Sequence, residues 1–203
     1  LPTRLNQLDL DWRSLAKVPE DETDGGIAGR GGGRLKELLS RTELERGVAE
    51  LARQISRQYE QQSLTIIGVL TGSIVLLADL IRLLEMPLRV GVVQASSYRG
   101  NTTRGELTIN ADLMPDIRGR HVLLIDDIFD TGHTLSEVIR LIKELGAESV
   151  RSAVLLRKHG RQEVAIVPDF VGFDIPDHFV VGYGLDYRDA YRNLSYIAVL
   201  EPE

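Results

Sequence analysis

Three acids fall within five residues, Asp126, Asp127 and Asp130, inside the run VLLIDDIFDTGHTLSEV (residues 122–138). The apolar residues Val122 to Ile125, followed by Ile128, put the first two acids where a buried strand ends. Adjacent carboxylates taken out of water repel each other and require a cation or hydroxyl donors. Beyond them, Asp130-Thr131-Gly132-His133 reads as the whole strand-to-helix loop. Thr134 and Glu137 have the spacing of a capping box, which predicts Thr134 as the N-cap of the helix that follows. The free N–H groups and positive dipole end of such a helix favour phosphate. Acids that can hold a cation or sugar hydroxyls, set beside amides that can hold phosphate, describe a site for a phosphorylated sugar with Mg²⁺.

The surrounding elements follow from apolar periodicity. Ser40 and Glu43 predict a second capping box, and Leu44, Val48, Leu51 and Ile55 mark one face of a helix running to about Tyr59. A buried strand over Leu64–Leu70, a helix over about Ile74–Leu84 and a strand over Leu88–Ala95 come next. A polar loop (Ser96–Glu106), an alternating stretch (Leu107–Leu113) and the acid-bearing strand follow. The next helix buries Leu135, Val138, Ile139, Ile142 and Leu145, has Gly146 past its end, and leads to a strand at Arg151–Leu156. Strands alternating with helices predict an α/β fold, a mostly parallel twisted sheet flanked by helices. Ligands of such sheets bind at the carboxyl ends of the strands. Residues 164–200 carry short β-like runs without a helix pattern, which predicts a small C-terminal hood near the same edge.

Composition narrows the function classes. The chain has 203 residues, 43% hydrophobic and 27% charged, with a formal net charge of −6. Such an acidic balance argues against broad nucleic-acid or anionic-membrane binding. Without cysteine there is no disulfide framework, thiol nucleophile or zinc-thiolate site, which suits a reducing, cytoplasmic setting. The longest apolar region, around residues 64–84, is interrupted by Gly68, Thr71, Gly72, Ser73 and Asp79, so no membrane span is expected. Six of the nine residues from Gly25 to Gly33 are glycine, and about 1–36 reads as a flexible N-terminal extension before a domain over 37–203.

The segment VLLIDDIFDTGHTL resembles the 5-phosphoribosyl-1-diphosphate (PRPP) signature of the type I phosphoribosyltransferases. The run DFVGFDIPDHFVVGYGLDYRDAYRNLSYIAVL (residues 169–200) is similar to the C-terminal part of the hypoxanthine-guanine branch of that family. VLTGS (69–73) and SSY (96–98) fall where the family has its diphosphate loop and mobile active-site loop. The resemblance runs from about Leu39 to Leu200.

Residue by residue, the resemblance implies that Asp126 and Asp127 bind the PRPP ribose hydroxyls, directly or through Mg²⁺. Asp130 would be the catalytic general acid/base near N7 of the purine. Thr131, Gly132, His133 and Thr134 would cradle the 5′-phosphate. Leu70, Thr71 and Gly72 would form the diphosphate loop, with a cis peptide before Thr71, and Arg192 would pair with the diphosphate. Lys158 would donate to the purine 6-oxo group, Phe179 would stack on the base, and Val180 would offer its backbone to the base edge. Asp186 would sit at the purine site and help hold a second Mg²⁺, and Ser97 and Tyr98 would belong to a lid. Thr71 stands where some members carry Lys, and His133 where Lys or an apolar residue is often found.

The implied reaction is transfer of 5-phosphoribose from PRPP to hypoxanthine or guanine, giving IMP or GMP and diphosphate. The expected cofactor is Mg²⁺, and the expected partners are PRPP and a 6-oxopurine, with no nucleic acid or membrane and a homodimer or homotetramer as the assembly. A xanthine-preferring enzyme stays open. So does a PRPP-sensing, nucleic-acid-binding regulator using a basic patch of Arg151, Arg157, Lys158 and Arg161. A Mg²⁺-dependent phosphatase with an Asp nucleophile fits less well, because the glycine-threonine cradle after Asp130 suits holding a sugar phosphate.

Overall fold

The alternation of apolar runs and amphipathic stretches becomes a layered sheet in the computed structural model, which describes residues 34–60, 62–97 and 107–201. The elements in chain order are β1 (Arg34–Leu39), α1 (Arg41–Gln58), β2 (Leu64–Leu70), α2 (Ile74–Leu83), β3 (Leu88–Ser97) and β4 (Leu107–Asn110). They continue with β5 (His121–Phe129), α3 (His133–Glu144), β6 (Ser149–Lys158), β7 (Phe170–Ile175), β8 (Val180–Val181) and β9 (Ile197–Glu201). None of the helices described is long and apolar enough to cross a membrane.

Six strands form the main sheet in the order β4-β3-β2-β5-β6-β7, parallel except where β4 pairs antiparallel with β3. Side chains alternate between its faces, as a two-residue period requires. Ile66, Leu123, Ile125, Ala153 and Leu155 pack with the buried face of α1 and with α2. Ile67, Val69, Val122, Leu124 and Val154 pack with Leu135, Val138 and Ile142 of α3. The chain leaves β2 toward β3 on one side and later returns to lay β5 on the other. The topological switch point therefore lies between β2 and β5, and the crevice outside their carboxyl ends is the expected ligand position.

A second, antiparallel sheet β1-β9-β8 forms the hood from both ends of the domain. β1 starts at Arg34 and pairs with β9, ahead of the boundary placed at residue 37. The rest of the glycine-rich extension lies outside the described residues, as do Tyr98 of the expected lid and most of its loop. The hood is also smaller than expected, because β7 joins the main sheet beside β6. Its Phe170 and Ile175 enter the core shared with α1, beside Val180 and Ile197 of the hood strands.

The helix ends show which local signals hold. Ser40 caps α1 through the expected box: Glu43 N–H donates to Ser40 Oγ at 3.3 Å, and Ser40 N–H donates to Glu43 Oε2 at 2.8 Å. The box expected at Thr134 and Glu137 does not form. Gly132, at φ +87°, is the N-cap of α3 with no side-chain cap, and Glu137 accepts from Arg140 instead. The left-handed turn at Gly132 starts the helix at His133, so Thr134 already lies within its first turn. That leaves the first-turn amides open toward the sheet edge. At the other end Gly146, at φ +85°, closes a Schellman motif, with Gly146 N–H on Lys143 C=O and Ala147 N–H on Ile142 C=O.

Ser40→Ala removes one side of a complete box and is expected to lower stability by about 1 kcal/mol. The reading is a lower urea midpoint at unchanged m-value, and an unshifted midpoint would contradict the role given to the box.

Candidate active site

Asp126 and Asp127 end the buried part of β5, where Asp126 is only 7% exposed. Asp127 N–H donates to Asp126 Oδ1 at 3.0 Å, and Ile128 N–H donates to Asp127 Oδ1 at 2.8 Å. Burial, then the neighbouring Asp127 charge, hold the Asp126 carboxyl well above the ordinary carboxylate range. Burial also raises Asp127, opposed by hydrogen bonds from Asp126 and the backbone and by the more distant Arg192. Such a pair favours hydroxyl donors or a cation at its side.

Across the switch point, the loop after β2 presents its backbone to these acids. The Leu70-Thr71 peptide is cis, as expected. A Cβ on Gly72 would lie 1.6 Å from Asp127 Oδ2, and a Cβ on Gly184 would lie 2.2 Å from Gly72 C=O. Only glycine at both positions lets the β2 loop, the acid pair and the hood approach so closely. Ser73, fully buried, ties the loop down by donating from Oγ to Val69 C=O at 2.6 Å.

The hood loop supplies Asp186 and Arg192. Arg192 donates to Gly184 C=O at 2.7 Å and meets Asp186 at 2.8 Å. Four non-glycine residues of this loop have left-handed backbones: Tyr183, Arg188, Asp189 and Tyr191. Each such residue costs on the order of 1 kcal/mol or more, and such strain gathers at functional sites. Tyr183 is fixed by donating its hydroxyl to Asp79 at 2.5 Å.

A second group forms where β6 ends. Lys158 Nζ lies 3.4 Å from Asp130 Oδ2 and 3.4 Å from Asp177 Oδ1. Arg161 Nε donates to Asp130 Oδ1 at 2.9 Å and approaches Asp177 at 3.7 Å. Phe179, 52% exposed, meets Tyr187 edge to face at 5.6 Å between centroids. Val180 is buried and opposes Val199, with Phe179 C=O accepting from Leu200 N–H. Antiparallel alternation then directs the N–H and C=O of Val180 to the outer edge of β8, available to a planar ligand.

A cavity of about 320 Å³ collects Leu70, Thr71, Gly72, Asp126, Asp127, Asp130, Thr131, Gly132, Thr134, Asp186 and Arg192. The other expected site residues border this set differently. Lys158 reaches it through Asp130, and Phe179 and Val180 stand in the hood beyond Asp177. The His133 ring turns outward to Glu163 at 2.9 Å. Ser97 keeps backbone pairing in β3, opposite Leu107. A larger groove of about 610 Å³ between α1, α2 and the hood shares only Arg192 with the site, and it lacks the acids and open amides that carry the chemistry. Sequence reasoning missed Ser73, Asp177 and Gly184 as site builders. All three lie within the runs 69–73 and 169–200 that carry the resemblance, but the part of Asp177 depends on a fold contact with Lys158 of β6.

Among the described residues no cluster of three or more side chains is placed to hold a metal alone. Asp126, Asp127 and Asp186 nevertheless line one cavity with hard oxygens, which fits a Mg²⁺ whose shell is completed by substrate oxygens and water. The four cations of the candidate basic patch are all paired: Arg151 with Asp169, Arg157 with Asp174, and Lys158 and Arg161 with Asp130 and Asp177.

The phosphoribosyl transferase domain model matches residues 34–188. The chain is 43% identical over 169 residues to the hypoxanthine-guanine phosphoribosyltransferase of Bacillus subtilis, covering 82% of this chain and 93% of that protein. It is also 43% identical over 169 residues to the bifunctional protein TilS/HprT of Listeria innocua, of which the match spans only about a quarter (26%). A solved hypoxanthine phosphoribosyltransferase of Staphylococcus aureus superposes with a TM-score of 0.77 at 39% identity, covering 82% of this chain and 91% of that one.

The raised Asp126 carboxyl gives a stability prediction with a definite sign. A group raised on folding stabilises the fold while protonated, and that contribution is lost as pH climbs from the ordinary carboxylate range through the folded value. Asp126→Asn is therefore expected to raise the melting temperature of the ligand-free protein, more at about pH 8 than at about pH 5. An equal shift at both, or a lower melting temperature at the higher pH, would contradict the burial argument.

Proposed function

The chain belongs to the phosphoribosyl transferase domain family, and on that premise we propose that it is a Mg²⁺-dependent hypoxanthine-guanine phosphoribosyltransferase of purine salvage. The reaction is PRPP plus a 6-oxopurine giving IMP or GMP and diphosphate. One observation carries the choice of base: Lys158 lies 3.4 Å from Asp130, which lines the sugar-phosphate cavity, a pairing suited to the O6 and N7 of one purine ring.

In this reading the uncapped start of α3 and the Thr131-Gly132 turn take the 5′-phosphate. Asp126 and Asp127 accept hydrogen bonds from the ribose hydroxyls. The Thr71-Gly72 backbone and Arg192 take the diphosphate, with no lysine at position 71. Asp126, Asp127 and Asp186 would hold Mg²⁺, which would supply charge neutralisation for the departing diphosphate. The new bond joins purine N9 to C1′ while the C1′–O bond breaks and its electron pair leaves on diphosphate. The sugar carbon passes through an oxocarbenium-like state, and the purine proton goes from N7 to Asp130. A Lys158 donor aimed at O6 selects against adenine, whose amino group there is itself a donor. Leaving that lysine unpaired costs on the order of 1–3 kcal/mol.

The regulator reading gains no support, since each residue of its candidate basic patch is already ion-paired. The proposal extends to a cytoplasmic homodimer or homotetramer.

A panel of hypoxanthine, guanine, xanthine, adenine and uracil with PRPP tests the assignment. Nucleotide is expected from hypoxanthine and guanine, with none from adenine or uracil and none after EDTA. Formation of AMP or UMP would overturn it. Asp130→Asn is expected to lower kcat by roughly 10²–10⁴-fold, and an unchanged kcat would remove its proton-transfer role. Lys158→Ala is expected to raise the purine KM on the order of tenfold and to erode discrimination against adenine. Unchanged purine KM and selectivity would refute the O6 contact.

A further inference from the structure

The segment joining β6 to β7 lies across the phosphate turn and grips it residue by residue. Arg161 Nε donates to Asp130 Oδ1 at 2.9 Å. Glu163 N–H donates to Thr131 C=O at 3.0 Å. Val164 Cγ2 would lie 2.5 Å from a Cβ on Gly132, and the Glu163 carboxylate meets the His133 ring at 2.9 Å. Each residue of the turn from Asp130 to His133 thus has a partner in this strap. The reaction set out above uses none of the strap residues.

Arg161 occupies the most consequential place in it. The two oxygens of Asp130 are divided between two cations, Oδ1 to Arg161 and Oδ2 to Lys158. Both cations also reach Asp177, two residues before the base-stacking Phe179. When a 6-oxopurine enters, Lys158 turns to O6 and Oδ2 to N7, so the 3.4 Å contact between them is the one exchanged for substrate. The shorter contact on Oδ1 is untouched by that exchange. A guanidinium keeps its charge throughout and has a rigid donor geometry, which suits it to hold a carboxylate in one rotamer.

We infer that Arg161 is a positioning residue for proton transfer: it fixes Oδ1 of Asp130 so that Oδ2 is the oxygen presented to the purine. The inference rests on the transferase reading. It assigns Arg161 little part in stability, since Arg161 and Asp130 side chains are 45% and 36% exposed and exposed ion pairs contribute little.

The test is steady-state kinetics on Arg161→Ala and Arg161→Lys, each also combined with Asp130→Asn, using hypoxanthine and PRPP. Arg161→Ala is expected to lose about tenfold in kcat, because small misplacements of a reacting group are costly. Its KM for PRPP should stay within about twofold, and its melting temperature should not move. Arg161→Lys, which restores the charge without the rigid donor geometry, should recover only part of the loss. In the Asp130→Asn background Arg161→Ala should cost nothing further, because a positioning residue acts only through the group it positions. Wild-type kcat in Arg161→Ala, or the same tenfold loss in the Asp130→Asn background, would overturn the inference while leaving the transferase reading intact. A wild-type protein that forms no nucleotide from any 6-oxopurine would overturn that reading, and the role of Arg161 with it.

Discussion

Two adjacent carboxylates held out of water at the end of a parallel strand are the constraint around which the site is arranged. Asp126 and Asp127 repel each other and are poorly solvated, and among the described residues backbone N–H groups and Arg192 offset this in part. The close surroundings follow from this arrangement. Gly72 has no side chain because Asp127 occupies the space. Gly184 has none because the hood must reach Gly72. The hood loop accepts four left-handed residues to set Asp186 and Arg192 beside the pair. A site built in this way favours hydroxyl donors or a cation beside its acids.

The sheet explains why these groups meet. β2 and β5 are neighbours at the point where strand order reverses, so the loops leaving them diverge and open a crevice. One loop brings backbone amides, and the other brings acids followed by a helix start. That helix start has no side-chain cap. The left-handed turn at Gly132 keeps its first amides open, where a capping threonine would have satisfied one of them. The site thereby forgoes a local stabilising contact at the position where a phosphate can replace it.

Much of this was legible in the chain. The boundaries of β2 and the capping box of α1 followed from apolar runs and short-range signals, which need no tertiary information. The acid pair and its loop stood out because carboxylates inside an apolar run are costly without a ligand. The capping pattern at Thr134 and Glu137 misled because the same spacing arises by chance, and Gly132 overrode it. β7 looked like part of the hood because its pairing with β6 is not local. The roles of Asp177 and Arg161 were hidden for the same reason: each depends on meeting Asp130 or Lys158 across the sheet edge. Arg161 was visible only as part of a basic patch, which the fold neutralises.

The central claim is that substrate hydroxyls and a cation stabilise the charged form of a pair whose Asp126 carboxyl is held well above the ordinary range by burial and by its neighbour. Calorimetric titration of PRPP with Mg²⁺, repeated in buffers of different ionisation enthalpy, counts the protons exchanged on binding. The account predicts that wild-type protein releases more protons than Asp126→Asn, the difference arising from the pair. Equal release by the two proteins, or net uptake by wild type alone, would contradict it.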